Sequence, residues 1–294
     1  MVNGKISAWL NLIRVPNLFT ALADILGGFL YVGGHVDQAG QLAILAFASL
    51  CLYAGGVALN DVVDTARDAA ERPHRPIPSG LISRPSASLV SFALLFMGGA
   101  AALAASTRSG AIAVFLVGAI LLYDVVLKTT VVASGLMGVC RALNLLLGMS
   151  LAPALALPHI IVPCTSLFVY VTSITHLGRQ EARDSLPPRS RLWGLGGAVV
   201  GINGLWLLLV VTPGASWGYL RSATATTMAV AVAATCAAVA REPADKQRAM
   251  KWLVLLIIGF DAGLAGSTRG LVGEVLVAFL LVPAIWLSRR LRVT

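Results

Sequence analysis

Apolar residues fill this chain in long runs that polar residues rarely interrupt. Ten stretches stand out, roughly 17–34, 41–59, 86–106, 110–127, 132–152, 158–177, 192–212, 219–240, 249–266 and 271–288. Each is close to the ~20 residues that a helix needs to cross the hydrocarbon of a bilayer. None alternates apolar and polar positions with the period of a barrel strand. A backbone in lipid must satisfy its own hydrogen bonds, so continuous runs of this length read as helices. The pattern predicts an all-α, polytopic membrane helix bundle of nine to ten transmembrane helices in a single domain over 1–294. The last two runs decide between nine and ten, because one of them can be re-entrant or interfacial.

Charge turns this pattern into a topology. With the N-terminus in the cytoplasm, the inner loops hold 18 of the 22 Lys and Arg residues, and the outer loops hold only Arg108, Arg221 and Arg269. The remaining one, Arg141, falls inside the fifth run. That asymmetry predicts a cytoplasmic N-terminus and places the polar loops after spans two, four and six on the same side. The basic tail Arg289-Arg290-Leu291-Arg292 favours ten spans. Composition agrees: 57% of the 294 residues are hydrophobic and 12% charged, and mean hydropathy is +0.84. A soluble domain carries about twice that charge. The net charge of +9 therefore belongs to membrane topology and does not imply a nucleic-acid partner. The first span has no cleavage-like site after it, so no signal peptide is expected. Cys51, Cys140, Cys164 and Cys236 lie singly in apolar segments, without metal or redox spacing, and read as reduced packing residues. The expected location is an integral protein of a bacterial inner membrane.

The loop after the second run carries the strongest chemistry. Residues 60–80 hold Asn60, Asp61, Asp64, Asp68 and Glu71, followed by Arg72, Arg75 and the prolines Pro73, Pro76 and Pro78. On a helix Asn60, Asp64 and Asp68 fall at i, i+4 and i+8, which predicts one shared face. Oxygen donors on one face suit Mg²⁺, which usually completes its shell with substrate phosphates. Arginines suit phosphate oxygens, and the prolines fix an extended turn that holds Arg72 and Arg75 towards the metal. A solvated loop obeying the inner-face charge bias is the plainer alternative. It explains Arg67 and Arg84 but not the acidic face.

The other inner loops are open to two readings each. Tyr123 and Lys128 either contact a diphosphate or anchor the end of span four at the interface. Glu181 and Asp184, at i and i+3, either share a metal-binding face or pair with Arg179 and Arg183. Within the spans, Asp24 and Asp261 are intramembrane carboxylates, which default to a functional or paired role. Arg141 and Asn144 in the fifth run are either diphosphate contacts or part of an ion pair with Asp24 or Asp261.

The pattern Asn60-x-x-x-Asp64-x-x-x-Asp68, followed by Arg72 and Arg75-Pro76-x-Pro78-Ser79-Gly80, resembles the first signature of the UbiA superfamily of intramembrane prenyltransferases. The Tyr123…Lys128 loop resembles that family's next inner-loop segment. The segments 123–128, 140–150 and 179–181 look similar to the UbiA-like EboC branch. The resemblance implies a bundle around a central cavity, Mg²⁺ as cofactor, and transfer of an isoprenyl group from a polyprenyl diphosphate to an acceptor, often aromatic. It implies that Asn60, Asp64 and Asp68 hold one Mg²⁺ with support from Asp61. It further implies that Arg72, Lys128 and Arg141 neutralise the diphosphate. Relatives carry an Asp-rich segment after span six. Here Arg179-Gln180-Glu181-Ala182-Arg183-Asp184 stands in its place, so Glu181 and Asp184 make a weaker second metal site, with Arg179 available to replace its charge. Asp124 and Asp184 are candidates for the base that takes the acceptor's proton. The rival class is a non-catalytic membrane protein, a transporter or a carrier of a prenylated lipid.

Overall fold

The computed structural model describes residues 4–128, 130, 132–152, 157–181, 197 and 243–291. The helices are α1 (Gly4–Leu12), α2 (Val15–Tyr31), α3 (Ala39–Val63), α4 (Thr65–Glu71), α5 (Arg84–Ala105), α6 (Thr107–Leu121), α7 (Ala133–Met149), α8 (Leu157–Glu181), α9 (Pro243–Ala278) and α10 (Leu281–Arg290). A 3₁₀ turn precedes α3 at Val36–Gln38, and α6 runs on into a π-helical turn over Leu122–Leu127. No strand occurs among the described residues.

Local chemistry sets several of the helix starts. Ser83 accepts the Ser86 N–H at 3.3 Å with Pro85 in the first turn of α5, and Ser106 accepts the Ser109 N–H at 3.0 Å at the start of α6. Both are side-chain caps on otherwise orphaned helix donors. Pro16 opens α2, where a missing N–H costs nothing. Just before it, Arg14 adopts a left-handed backbone (φ 49°, ψ 56°), uncommon for a residue with a Cβ.

Most predicted spans reappear as helices. The runs at 17–34, 41–59, 86–106, 110–127 and 158–177 lie in helices long and apolar enough to cross a membrane, and 132–152 lies in the shorter α7. The predicted spans 192–212 and 219–240 fall outside the described residues. The last two predicted spans form a helical hairpin. Gly270, at φ 60° and ψ −155°, breaks α9, and the Lys251 ammonium donates to the Ser288 carbonyl at 2.7 Å. Residues 37 apart in sequence meet there only because the chain has reversed. Phe96 and Phe115, 78% and 71% exposed on α5 and α6, present the apolar outer surface that lipid covers.

Helix α2 lies at the centre, packed against α3, α7, α9 and α10. Glycines allow that crowding. A Cβ on Gly28 would stand 2.6 Å from the Leu145 carbonyl oxygen, and one on Gly148 would stand 2.6 Å from the Ile25 carbonyl oxygen. The backbones of α2 and α7 therefore approach as closely as small-residue seams allow in lipid. Gly148→Ala is expected to force the two helices apart and cost about 1–3 kcal/mol, read as a lower melting temperature in detergent. An unchanged melting temperature would show that the seam can relax.

Candidate active site

Four helices converge on the site. Along α3, Ser49, Tyr53, Gly56 and Asn60 recur at helical spacing and face inwards. Tyr53, Gly56 and Asn60 line a cavity of about 190 Å³, together with Arg14, Leu52, Val57, Leu116, Ile120, Tyr123, Asp124, Met137, Cys140, Arg141 and Asn144. Tyr53 and Asn60 are seven residues apart, so polar groups bracket an apolar middle of about 10 Å.

At one end of the cavity, the carboxylates each meet internal positive charge. The Asn60 amide donates to Asp124 Oδ1 at 2.8 Å. Lys128 Nζ stands 2.8 Å from Asp64 Oδ2 and 3.8 Å from Asp124 Oδ1, and donates to the Asn60 carbonyl at 3.2 Å. Arg75 Nη1 lies 2.7 Å from Asp68 Oδ2 and 3.2 Å from Asp61 Oδ1, and Arg14 Nη2 lies 3.2 Å from the same Asp61 oxygen. Arg67 pairs with Glu71 at 3.1 Å on the exposed side. Arg179 Nη2 donates to the Lys128 carbonyl at 2.6 Å.

The single i, i+4, i+8 face is therefore corrected. Asn60 and Asp64 turn towards Asp124 and Lys128, whereas Asp68 turns with Asp61 towards Arg75. At 100° per residue, position i+8 has drifted about 80° from i, while i+7 has drifted only about 20°. Asp61 and Asp68 thus form one pair and Asn60 and Asp64 another. The break at Asp64, between α3 and α4, leaves the pairs separate. Among the described residues no group of three or more His, Cys, Asp or Glu side chains is placed to hold a metal ion. The Asp64, Asp124 and Asn60 oxygens around Lys128 are nonetheless hard donors of the type that Mg²⁺ takes, with its remaining positions left to water and phosphate.

Arg75 is a second correction. It does not reach out to a phosphate but lies buried, 6% exposed, between Asp61 and Asp68. Its loop is pinned by Ile77 and Ile82, which pack on Ala8, Leu12, Ala58 and Val62. Arg72 is half-buried and takes part in none of the ion pairs found among the described residues. Glu181 closes α8, but its side chain lies outside the described residues, as does Asp184.

At the other end, Arg141 is committed. Its Nη1 donates to Asp24 Oδ2 at 2.9 Å, its Nη2 to Thr20, and its guanidinium lies 4.9 Å from the Tyr53 ring centroid. Asn144 donates to Asp24 Oδ2 at 2.8 Å and to the Ala21 carbonyl at 2.9 Å, and accepts from Ser49 at 2.7 Å. Behind Asp24 lies the carboxyl of Asp261 on α9, and both are fully buried. Of the two readings left open for Arg141, the ion pair with Asp24 is the one formed.

A protein-family model for the UbiA prenyltransferase family matches residues 21–260. The chain belongs to the UbiA prenyltransferase family. This UbiA member is 35% identical over 121 residues to a digeranylgeranylglyceryl phosphate synthase of Ignicoccus hospitalis, a match covering 41% of this chain and 38% of that protein. It is 35% identical over 152 residues to the synthase of the same name from Methanopyrus kandleri, covering 50% and 55%. The matched stretches thus span about half or less of these relatives. Among solved structures, a UbiA homologue from Aeropyrum pernix K1 superposes with a TM-score of 0.68 at 14% identity, over 84% of this chain and 96% of that one. A UbiA homologue from Archaeoglobus fulgidus bound to GPP and Mg²⁺ gives 0.60 at 12% identity, over 87% and 99%. These superpositions establish the fold: the chain is an all-helical integral membrane protein of the UbiA type.

Sequence reasoning missed several UbiA-site residues. Arg14 counted only as a topology charge; nothing in the sequence links it to Asp61, 47 residues away. Tyr53 and Ser49 did leave a signal. They extend the Asn60 face backwards as a stripe of polar and small residues in an otherwise apolar helix.

Proposed function

We propose that the chain transfers an isoprenyl group from an isoprenyl diphosphate to a small nucleophilic acceptor within the membrane. The observation that carries this reading is the Asn60–Asp64–Asp124–Lys128 cluster opening onto an apolar cavity. Asn60 and Asp64, with Asp124 beside them, would hold Mg²⁺, which would supply positive charge at the departing diphosphate. Lys128, Arg14 and Arg179 ring the same end and would bind the diphosphate oxygens. Tyr123, on the cavity wall, would donate a hydrogen bond to them. Leu52, Val57, Leu116, Ile120 and Met137 exclude water from the allylic carbon as its C–O bond opens. Asp124, which lines the cavity, would also take the acceptor's proton. Arg75, Asp61 and Asp68 form a buried ion network that fixes the loop over the site.

The acceptor class follows from chemistry and kinship. The relatives' name, digeranylgeranylglyceryl phosphate synthase, makes a prenylated glyceryl phosphate the first acceptor to try, with phenolic acids second. The charge asymmetry of the loops supports a cytoplasmic site end. The rival reading as a transporter is disfavoured by Asp24 and Arg141, which are closed on each other rather than strung along a path.

The test is release of diphosphate from geranylgeranyl diphosphate by the purified protein in detergent, with each acceptor, in Mg²⁺ and in chelator. Mg²⁺-dependent release that requires an acceptor supports the reading. Mg²⁺-dependent donor binding without turnover on any acceptor would point to a lipid carrier and overturn it.

A further inference from the structure

The Lys128 ammonium sits among oxygen donors from α3 and the π-helical turn. Three oxygens surround it: Asp64 Oδ2 at 2.8 Å, the Asn60 carbonyl at 3.2 Å and Asp124 Oδ1 at 3.8 Å. The Asn60 carbonyl lies in the last turn of α3, where the helix dipole adds negative potential and favours a cation. Lys128 and Asp64 are only 15% and 19% exposed, so their attraction is screened less than that of a surface pair.

The backbone holds the ammonium there. Lys128 follows the π-helical turn Leu122–Leu127, a distortion that recurs at functional sites. Its carbonyl accepts a hydrogen bond from Arg179 Nη2 at 2.6 Å. The other terminal nitrogen of the same guanidinium, Arg179 Nη1, is buried and meets no acceptor among the described residues. A phosphate oxygen arriving there is an acceptor that this guanidinium suits.

We infer that Lys128 is a resident counter-ion in the cation seat, which makes divalent metal and diphosphate bind as a pair. Metal alone must displace the ammonium and leave it without an anion. Diphosphate alone meets an ammonium already neutralised by Asp64. When both arrive, the metal takes the carboxylate oxygens and the ammonium moves to the phosphate, so no charge is left unmatched. Lys128 is thus a positioning residue whose neutralising partner changes from Asp64 to substrate. This coupling rests on the prenyltransferase reading for its ligand, but the resident ammonium does not. Linkage makes the effect reciprocal: metal must raise diphosphate affinity by the same factor as diphosphate raises metal affinity.

The experiment titrates the full-length protein in detergent with Mn²⁺ as the metal probe, following free Mn²⁺ by electron paramagnetic resonance, with and without geranylgeranyl diphosphate. Wild type is expected to bind Mn²⁺ weakly alone and at least about tenfold more tightly with the donor present. Lys128→Met keeps most of the side chain's volume and removes the charge. It is expected to bind Mn²⁺ alone at least about tenfold more tightly than wild type, with the enhancement by donor largely lost. Lys128→Arg, which retains the cation, is expected to behave like wild type. Should Lys128→Met not fold, Lys128→Gln takes its place in the same titration. Metal-alone affinity that is unchanged or weaker in the neutral variant overturns the resident counter-ion. If wild type shows no donor enhancement while the neutral variant still gains metal affinity, the counter-ion stands and the isoprenyl diphosphate reading fails.

Discussion

Asp64→Ala is expected to lose at least about 100-fold in Mg²⁺-dependent binding of an isoprenyl diphosphate. Even residues that only orient metal ligands typically cost 10–100-fold when removed, and Asp64 is proposed as a ligand itself. The neighbouring carboxylates cannot substitute for it. Asp61 and Asp68 are held by Arg75, with Arg14 also on Asp61, and those pairs lie on the other face. The mutation also frees Lys128, whose ammonium loses its 2.8 Å partner. Residual donor binding should therefore persist and become indifferent to Mg²⁺. That combination separates loss of the metal seat from general damage, which would remove binding in metal and in chelator alike. Asp64→Ala also breaks the part-buried pair with Lys128 at the junction of α3 and α4, so a modest fall in melting temperature is expected beside the loss of binding. Equal Mg²⁺-dependent affinity in wild type and Asp64→Ala would remove the metal assignment altogether.

The division of the acidic loop into two pairs shows what a sequence reveals of such a site and what it hides. That residues 60–80 hold the chemistry was legible, because an acidic segment directly after a long apolar run stands out against the background. The spans that fall among the described residues were legible for the same reason: a bilayer demands long, continuously apolar helices. The turn at Gly270, between the runs at 249–266 and 271–288, was visible as a gap in hydropathy. Partner choice was visible only in part: Arg141 was open to an ion pair with Asp24 or Asp261, but nothing linked Arg14 to Asp61. The pairs Arg14–Asp61 and Arg141–Asp24 join residues 47 and 117 apart in sequence. They form only once α1, α2, α3 and α7 have packed, so no local periodicity encodes them. The i+8 position misled because it drifts about 80° from i even on a regular helix, so Asp68 falls in line with Asp61 and not with Asn60. Arg75 was expected to face a phosphate because arginine suits phosphate. In the fold, two buried carboxylates compete for it at closer range and take it.

The same competition makes Arg141 a residue whose loss should damage the fold. Arg141→Met is expected to cost about 3–5 kcal/mol, the range for breaking a buried ion pair by removing one partner. Asp24 and Asp261 are both 0% exposed, on α2 and α9; Arg141 pairs with Asp24, with Asp261 just behind it. Without it, two carboxyls face each other in the centre of the bundle. Asp24 keeps the Asn144 amide as a donor. Water cannot easily relieve them, because α2 is pressed between α7 and α9. A Cβ on Gly27 would stand 2.8 Å from the Asp261 Cβ. The pair therefore spans the seams that hold α2 in place, and a melting curve in detergent should show the loss directly. Removing the charge from both sides tests the cause. Breaking a pair is costly because one charge is left buried, whereas replacing both partners by neutral groups of similar shape can be close to neutral. Asp24→Asn combined with Arg141→Met should therefore recover much of the stability that Arg141→Met loses alone. A double variant as unstable as the sum of the two single variants would mean that the guanidinium contributes through packing on Tyr53 rather than through charge. If, as the committed geometry of Arg141 implies, it serves the bundle and not the diphosphate, the recovered double variant should also bind donor with nearly wild-type affinity.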